Sequence, residues 1–160
     1  MGHVTATGGP SWVASIVAAV QTSPCKNASD GSSYWDSTAI IVTWDDWGGW
    51  YDHVPPPIEA FPQGGYQMGF RVPLIVVSAY TPAGFISNTP EDFGSVIRFV
   101  ERNFGIMEGA LTFADARGTG DLVEFFSLGN PPRKFQPIKA PLSAKYFLSA
   151  KPSGLAVDDD

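Results

Sequence analysis

Thr38-Ala39-Ile40-Ile41-Val42-Thr43-Trp44-Asp45-Asp46-Trp47-Gly48-Gly49-Trp50-Tyr51-Asp52-His53-Val54 is the stretch on which the fold turns. Its first part is continuously apolar and β-branched, the pattern of a strand covered on both faces, as in a parallel sheet. Two adjacent carboxylates follow where that strand ends. In open α/β sheets the carboxyl ends of strands are where ligands collect. Neighbouring like charges repel, so one acid resists ionising unless a cation or hydrogen bonds compensate. Gly48-Gly49 then lets the backbone turn sharply or approach a ligand closely.

Val72 to Ser78 carries a second continuous run, Leu74-Ile75-Val76-Val77, opened by Pro73 where a missing donor is tolerated. Upstream, Val13, Ile16, Val17 and Val20 fall at i, i+3, i+4 and i+7, which predicts a helix over 11–21. Downstream, Thr89 can cap a helix with Pro90 at its first position. Phe93, Val96, Ile97, Val100 and Phe104 then form its buried stripe, and Gly105 stops it. Strand and helix alternate, so the expected class is α/β. Two strands cannot cover their own faces, so an incomplete domain is expected, the rest of the sheet lying in other sequence. Residues 44–69 show no periodicity and read as a long functional loop. Asp121 to Leu128 suggests a short last helix. From Asn130 onward prolines recur without a clear element, giving expected boundaries of 1–129 for the catalytic portion and 130–160 for an extended tail.

The composition narrows the function. The chain has 160 residues, 44% hydrophobic and 16% charged, which is globular. A net charge of −6 argues against a nucleic-acid partner. Asp158-Asp159-Asp160 contributes to that charge as a solvated tail. Cys25 is the only cysteine, so no internal disulfide exists. No run reaches the roughly 20 apolar residues of a membrane span. Met1-Gly2-His3 lacks the features of a signal peptide.

Carboxylates with an imidazole are a divalent-metal ligand set. An Asp-Asp pair by itself also suits a turn. Acids, glycines, aromatics and histidine in one loop favour Asp45 and Asp46 as metal ligands. If the strand continued, they would point to opposite faces, so sharing one ion requires the chain to turn. His53 is either structural or a site residue oriented by Asp52, as ligand histidines commonly are. Trp44, Trp47, Trp50 and Tyr51 read as packing and pocket walls, and Asp115 with Arg117 as a structural ion pair. An alternative function is a non-catalytic aromatic platform for a carbohydrate or lipid headgroup, using Trp47, Trp50 and Tyr51. No nucleophile is visible, since Gly-x-Ser-x-Gly is absent and Cys25 has no histidine nearby.

Gly9-Pro10-Ser11-Trp12-Val13-Ala14-Ser15-Ile16-Val17, then Trp44 to Pro57, then Gly69 to Ser78 occur in this order in one family. The chain resembles the bacterial phosphoesterases that include phospholipases C and a metal-dependent acid phosphatase, over about 3–126. The resemblance implies an alkaline-phosphatase-like sheet flanked by helices and metal-assisted hydrolysis of a phosphate-ester or phospholipid substrate. It places Asp45 and Asp46 at the metal site, with a divalent ion of unspecified identity. It matches His3 to an active-site histidine and His53 to a site neighbour. Family members often carry Ile-Ser-His-Thr where this chain has Ile86-Ser87-Asn88-Thr89, which puts full activity in question. They are several times longer, with the nucleophile upstream, so this chain is expected to be a C-terminal portion lacking it. They are often exported, periplasmic or secreted.

Overall fold

The computed structural model describes residues 8–61, 64–107, 109–111 and 120–151. His3, the Asp115–Arg117 pair and the terminal Asp158–Asp160 run lie outside them. The described chain mixes helices with small antiparallel sheets, in two compact units.

One unit joins Met1–Thr38 to Pro132–Asp160. Helix α1 spans Gly8–Thr22, so it begins earlier than the apolar spacing predicts. Pro10 falls in its first turn, where no intrahelical donor is required. Val17 of the predicted stripe is buried, whereas Ile16 is exposed. Buried Ser11 accepts the Leu142 N–H at 3.4 Å. Trp35, in a 3-10 turn over Tyr34–Ser37, donates its indole N–H to the Arg133 carbonyl at 2.9 Å. Phe135 meets Trp35 edge-on at 5.0 Å. The later residues therefore pack against α1 and Trp35, and they contain a helix the sequence pattern missed, Ala144–Ser149 (here α3). At six residues it is too short to show a period, but Ser143 caps it by accepting the Tyr146 N–H.

The other unit, Ala39–Pro131, carries the acid pair. Strand β1 is Ala39–Thr43, β2 Ile58–Phe61, β3 Gly64–Gln67 and β4 Leu74–Ser78. β1 pairs with β4 from Ala39↔Ser78 to Thr43↔Leu74, and the pairing is antiparallel. The parallel sheet expected from continuous apolarity is thus corrected. Such runs are frequent in parallel sheets but do not by themselves fix the direction of pairing. Nor are both faces covered, since Ile75 remains exposed. The ladder stops at Leu74, and just beyond it the Pro73 carbonyl accepts the Thr43 hydroxyl at 2.9 Å. β2 and β3 form an antiparallel hairpin inside the stretch expected to be irregular.

Helix α2 is Phe93–Phe104, and its N-cap is Asp92 rather than Thr89. The Ser95 N–H donates to Asp92 Oδ1 at 2.9 Å, and the Asp92 N–H donates to Ser95 Oγ at 3.1 Å. This reciprocal box satisfies two donors, which a cap at Thr89 cannot match. Gly105 ends the helix in the left-handed region at φ 66°, with Ile106 N–H bonded to the Glu101 carbonyl at 2.8 Å. The predicted apolar stripe exists but is not the buried face. Phe93, Ile97, Val100 and Phe104 are exposed, Phe104 at 73%, while Gly94, Ser95 and Glu101 are buried. The covered side faces residues 120–126. There Phe126 stacks on Phe99 at 5.1 Å, Asp121 pairs with Arg102, and Arg98 reaches the Gly120 carbonyl. Leu122 is fully buried, and Val123–Phe125 forms only a 3-10 turn where a helix was expected.

Candidate active site

β1 stops at Thr43 and the chain bends at Asp45 and Asp46, so strand alternation no longer separates the two side chains. Asp45 Oδ1 accepts the Asp46 N–H at 3.1 Å, and Asp46 Oδ1 accepts the Gly48 N–H. Each acid therefore spends one oxygen on the local turn, and its other oxygen has no partner among the described residues. Both residues are exposed. Trp50 N–H bonds to the Trp47 carbonyl at 3.2 Å across Gly48 and Gly49, whose φ angles are 65° and 72°. Two successive positive φ angles define a type I′ turn, which glycine enters without steric cost.

Beyond the turn the chain comes back to the start of β4. Arg71 donates from Nε to Asp52 Oδ2 at 2.6 Å and from Nη2 to Oδ1 at 2.8 Å. Asp52 Oδ1 also accepts the Val54 N–H at 3.1 Å. These hydrogen bonds, the Arg71 guanidinium first, hold the Asp52 carboxyl well below the usual carboxylate range. The same pairing raises the Arg71 guanidinium. His53 Nδ1 lies 3.5 Å from Asp52 Oδ1, beyond hydrogen-bond length, and the imidazole is 84% exposed. The expected orientation of His53 by Asp52 is therefore loose, because Arg71 has taken that carboxylate.

Trp47, Trp50, Tyr51, Asp52, His53 and Arg71 line an open cleft of about 530 Å³. The packing expectation for the aromatics divides. Trp47 packs against Gly69 and meets Phe70 edge-on, whereas Trp50 and Tyr51 are 80% and 84% exposed and serve as cleft walls. Asp45 and Asp46 sit on the same loop but do not line that cleft. Arg71 is the site residue that sequence patterning missed. The signal for it was the register, since antiparallel pairing of Thr43 with Leu74 brings residues 69–73 beside the loop after Thr43.

Among the described residues no three His, Cys, Asp or Glu side chains gather as a metal-binding group. The donor set still fits a hard cation in part. Two carboxylates with uncommitted oxygens are what a Mg²⁺-type site takes from a protein, with water and substrate phosphate completing it. No helix among the described residues is long and apolar enough to cross a membrane.

Residues 3–107 match the Phosphoesterase family. Phospholipase C A of Mycobacterium tuberculosis is 30% identical over 123 residues, which is 64% of this chain and 24% of that protein. A non-hemolytic phospholipase C of Pseudomonas aeruginosa is 31% identical over 124 residues, 61% of this chain and 18% of its own length. Non-specific phospholipase C1 of Arabidopsis thaliana is 29% identical over 147 residues, 79% and 27% respectively. The chain thus spans about a quarter or less of the length of these relatives. With two thirds of its sequence inside the matched region, the chain belongs to the Phosphoesterase family.

Proposed function

We propose that the chain carries part of a metal-assisted phosphoester hydrolase acting on phosphate monoesters or phospholipid headgroups. The supporting observation is the acid pair at the end of β1, inside the family match, with one oxygen of each carboxylate uncommitted. Asp45 and Asp46 would hold the divalent cation. The cation, when bound, supplies Lewis-acid stabilisation of the phosphoryl oxygens and activates a hydroxyl nucleophile. His53, at the cleft rim, is free to take or release a proton at its outer ring nitrogen. His3 contacts phosphate or protonates the leaving oxygen, by its place in the family motif. The nucleophile comes from sequence outside the stretch matched here, in keeping with the share of each relative that this chain spans. The exposed faces of α2 and β4 support a place in a larger, alkaline-phosphatase-like sheet.

The test grafts this chain in place of the corresponding segment of a full-length phospholipase C relative. Hydrolysis of p-nitrophenyl phosphate and phosphatidylcholine is then assayed with Asp45→Asn and Asp46→Asn. Loss of turnover in both variants supports the assignment, and undiminished turnover in both refutes it.

The exposure of Trp50 and Tyr51 favours a second function, a non-catalytic platform for a carbohydrate or lipid headgroup. Calorimetry with sugars and choline phosphate separates the two. Binding unaffected by a chelator favours the platform, and binding abolished by it favours the hydrolase.

A further inference from the structure

The sheet pairing ends at Thr43↔Leu74, yet the loop that follows Thr43 stays against the segment leading into β4. Three consecutive residues hold it there. A Cβ at Gly69 would lie 3.3 Å from the Trp47 ring, so that ring rests directly on the Gly69 backbone. Phe70 meets Trp47 edge-on at 6.0 Å and Tyr51 edge-on at 6.1 Å. Arg71 then grips Asp52 with two parallel hydrogen bonds. The Asp52 side chain is only 13% exposed, while Arg71 is 62% exposed. An ion pair so open to water adds little stability. Its planar two-point geometry instead fixes one orientation, which a lysine point charge cannot reproduce.

We propose that Arg71 is a positioning residue: with Gly69 and Phe70 it clasps Trp47, Tyr51 and Asp52, and so fixes the turn that presents Asp45 and Asp46. The clasp itself stands on geometry alone, whereas its use in presenting a cation site rests on the function proposed above. It acts at both ends of the Gly48–Gly49 turn, through Trp47 before it and Tyr51 and Asp52 after it.

The experiment uses the full chain with Arg71→Gln, Arg71→Lys, Asp52→Asn and the charge swap Asp52→Arg/Arg71→Asp. The first readout is the indole N–H signals of the five tryptophans by NMR. Trp12 and Trp35 belong to the other unit and report that the variants remain folded. Signals of Trp47 and Trp50 should shift or broaden in Arg71→Gln, Arg71→Lys and Asp52→Asn, with partial return in the swap. The second readout is Tb³⁺ luminescence sensitised by the loop tryptophans. Its apparent affinity should fall about tenfold in Arg71→Gln, the usual size of losing a supporting partner. Unmoved Trp47 and Trp50 signals in Arg71→Gln and Asp52→Asn would overturn the clasp. Shifted indole signals without any Tb³⁺ binding to the wild-type chain would uphold the clasp and overturn the cation reading instead.

Discussion

Substituting Gly48 and Gly49 one at a time tests the type I′ turn that places Asp45 and Asp46. At φ 65° and 72° both glycines occupy the left-handed region, where a Cβ costs about 1–2 kcal/mol. Replacing glycine also restricts the unfolded chain, which returns about 0.4–1 kcal/mol. A Cβ at Gly49 would meet nothing within 4 Å, so Gly49→Ala should cost only the difference, about 0–1.6 kcal/mol. Gly49→Asn should be milder than Gly49→Ala, because asparagine tolerates this region through its own local hydrogen bonds. At Gly48 the new Cβ would sit 3.2 Å from Trp50 Cδ1. The Trp50 ring is mostly in water and can swing away, so Gly48→Ala should cost slightly more and displace that ring. Urea unfolding followed by circular dichroism measures the order Gly48→Ala, Gly49→Ala, Gly49→Asn, from most to least destabilised. The Trp50 indole signal measures the displacement. Gly49→Ala clearly more stable than the wild type would mean the left-handed turn is not there.

Asp92→Ala removes half of the α2 capping box and should destabilise the chain by about 1 kcal/mol in a urea titration, with a cost near zero counting against the box. Leu122→Ala empties a fully buried site and should cost about 2–5 kcal/mol by the same method. The folded Asp52 carboxyl is depressed below its unfolded value of about 3.9, so its contribution is present above that pH and lost as pH falls through the folded value. Its side-chain carboxyl carbon should therefore titrate below the ordinary range, and Arg71→Gln should move the midpoint upward. An unmoved midpoint would separate the depression from Arg71.

Much of this was legible in the sequence wherever a local pattern decides structure. The spacing of Val13, Ile16, Val17 and Val20 located α1, and the apolar runs located β1 and β4. Gly105 marked the end of α2, and Gly48-Gly49 marked the sharp turn beside the acids. Direction and partner choice were not legible, because they depend on contacts distant in sequence. Thr38–Val42 reads the same whether its neighbour runs parallel or antiparallel. The α2 stripe revealed which face is apolar, but the 120–126 segment covers the opposite one. Ile58–Phe61, Gly64–Gln67 and Ala144–Ser149 are too short for a period to emerge from their residues. At the site, Asp45, Asp46 and His53 stood out by type and crowding. Arg71 did not, since an arginine before a strand carries no signal until the strand is paired.

The most direct test of the account is paramagnetic broadening of backbone amide signals by substoichiometric Mn²⁺. Broadening should centre on Asp45, Asp46 and Gly48 and disappear in the Asp45→Asn/Asp46→Asn double variant. Broadening that persists unchanged in that variant, or that centres on the terminal Asp158–Asp160 run, would contradict the assignment of the acid pair as the cation site.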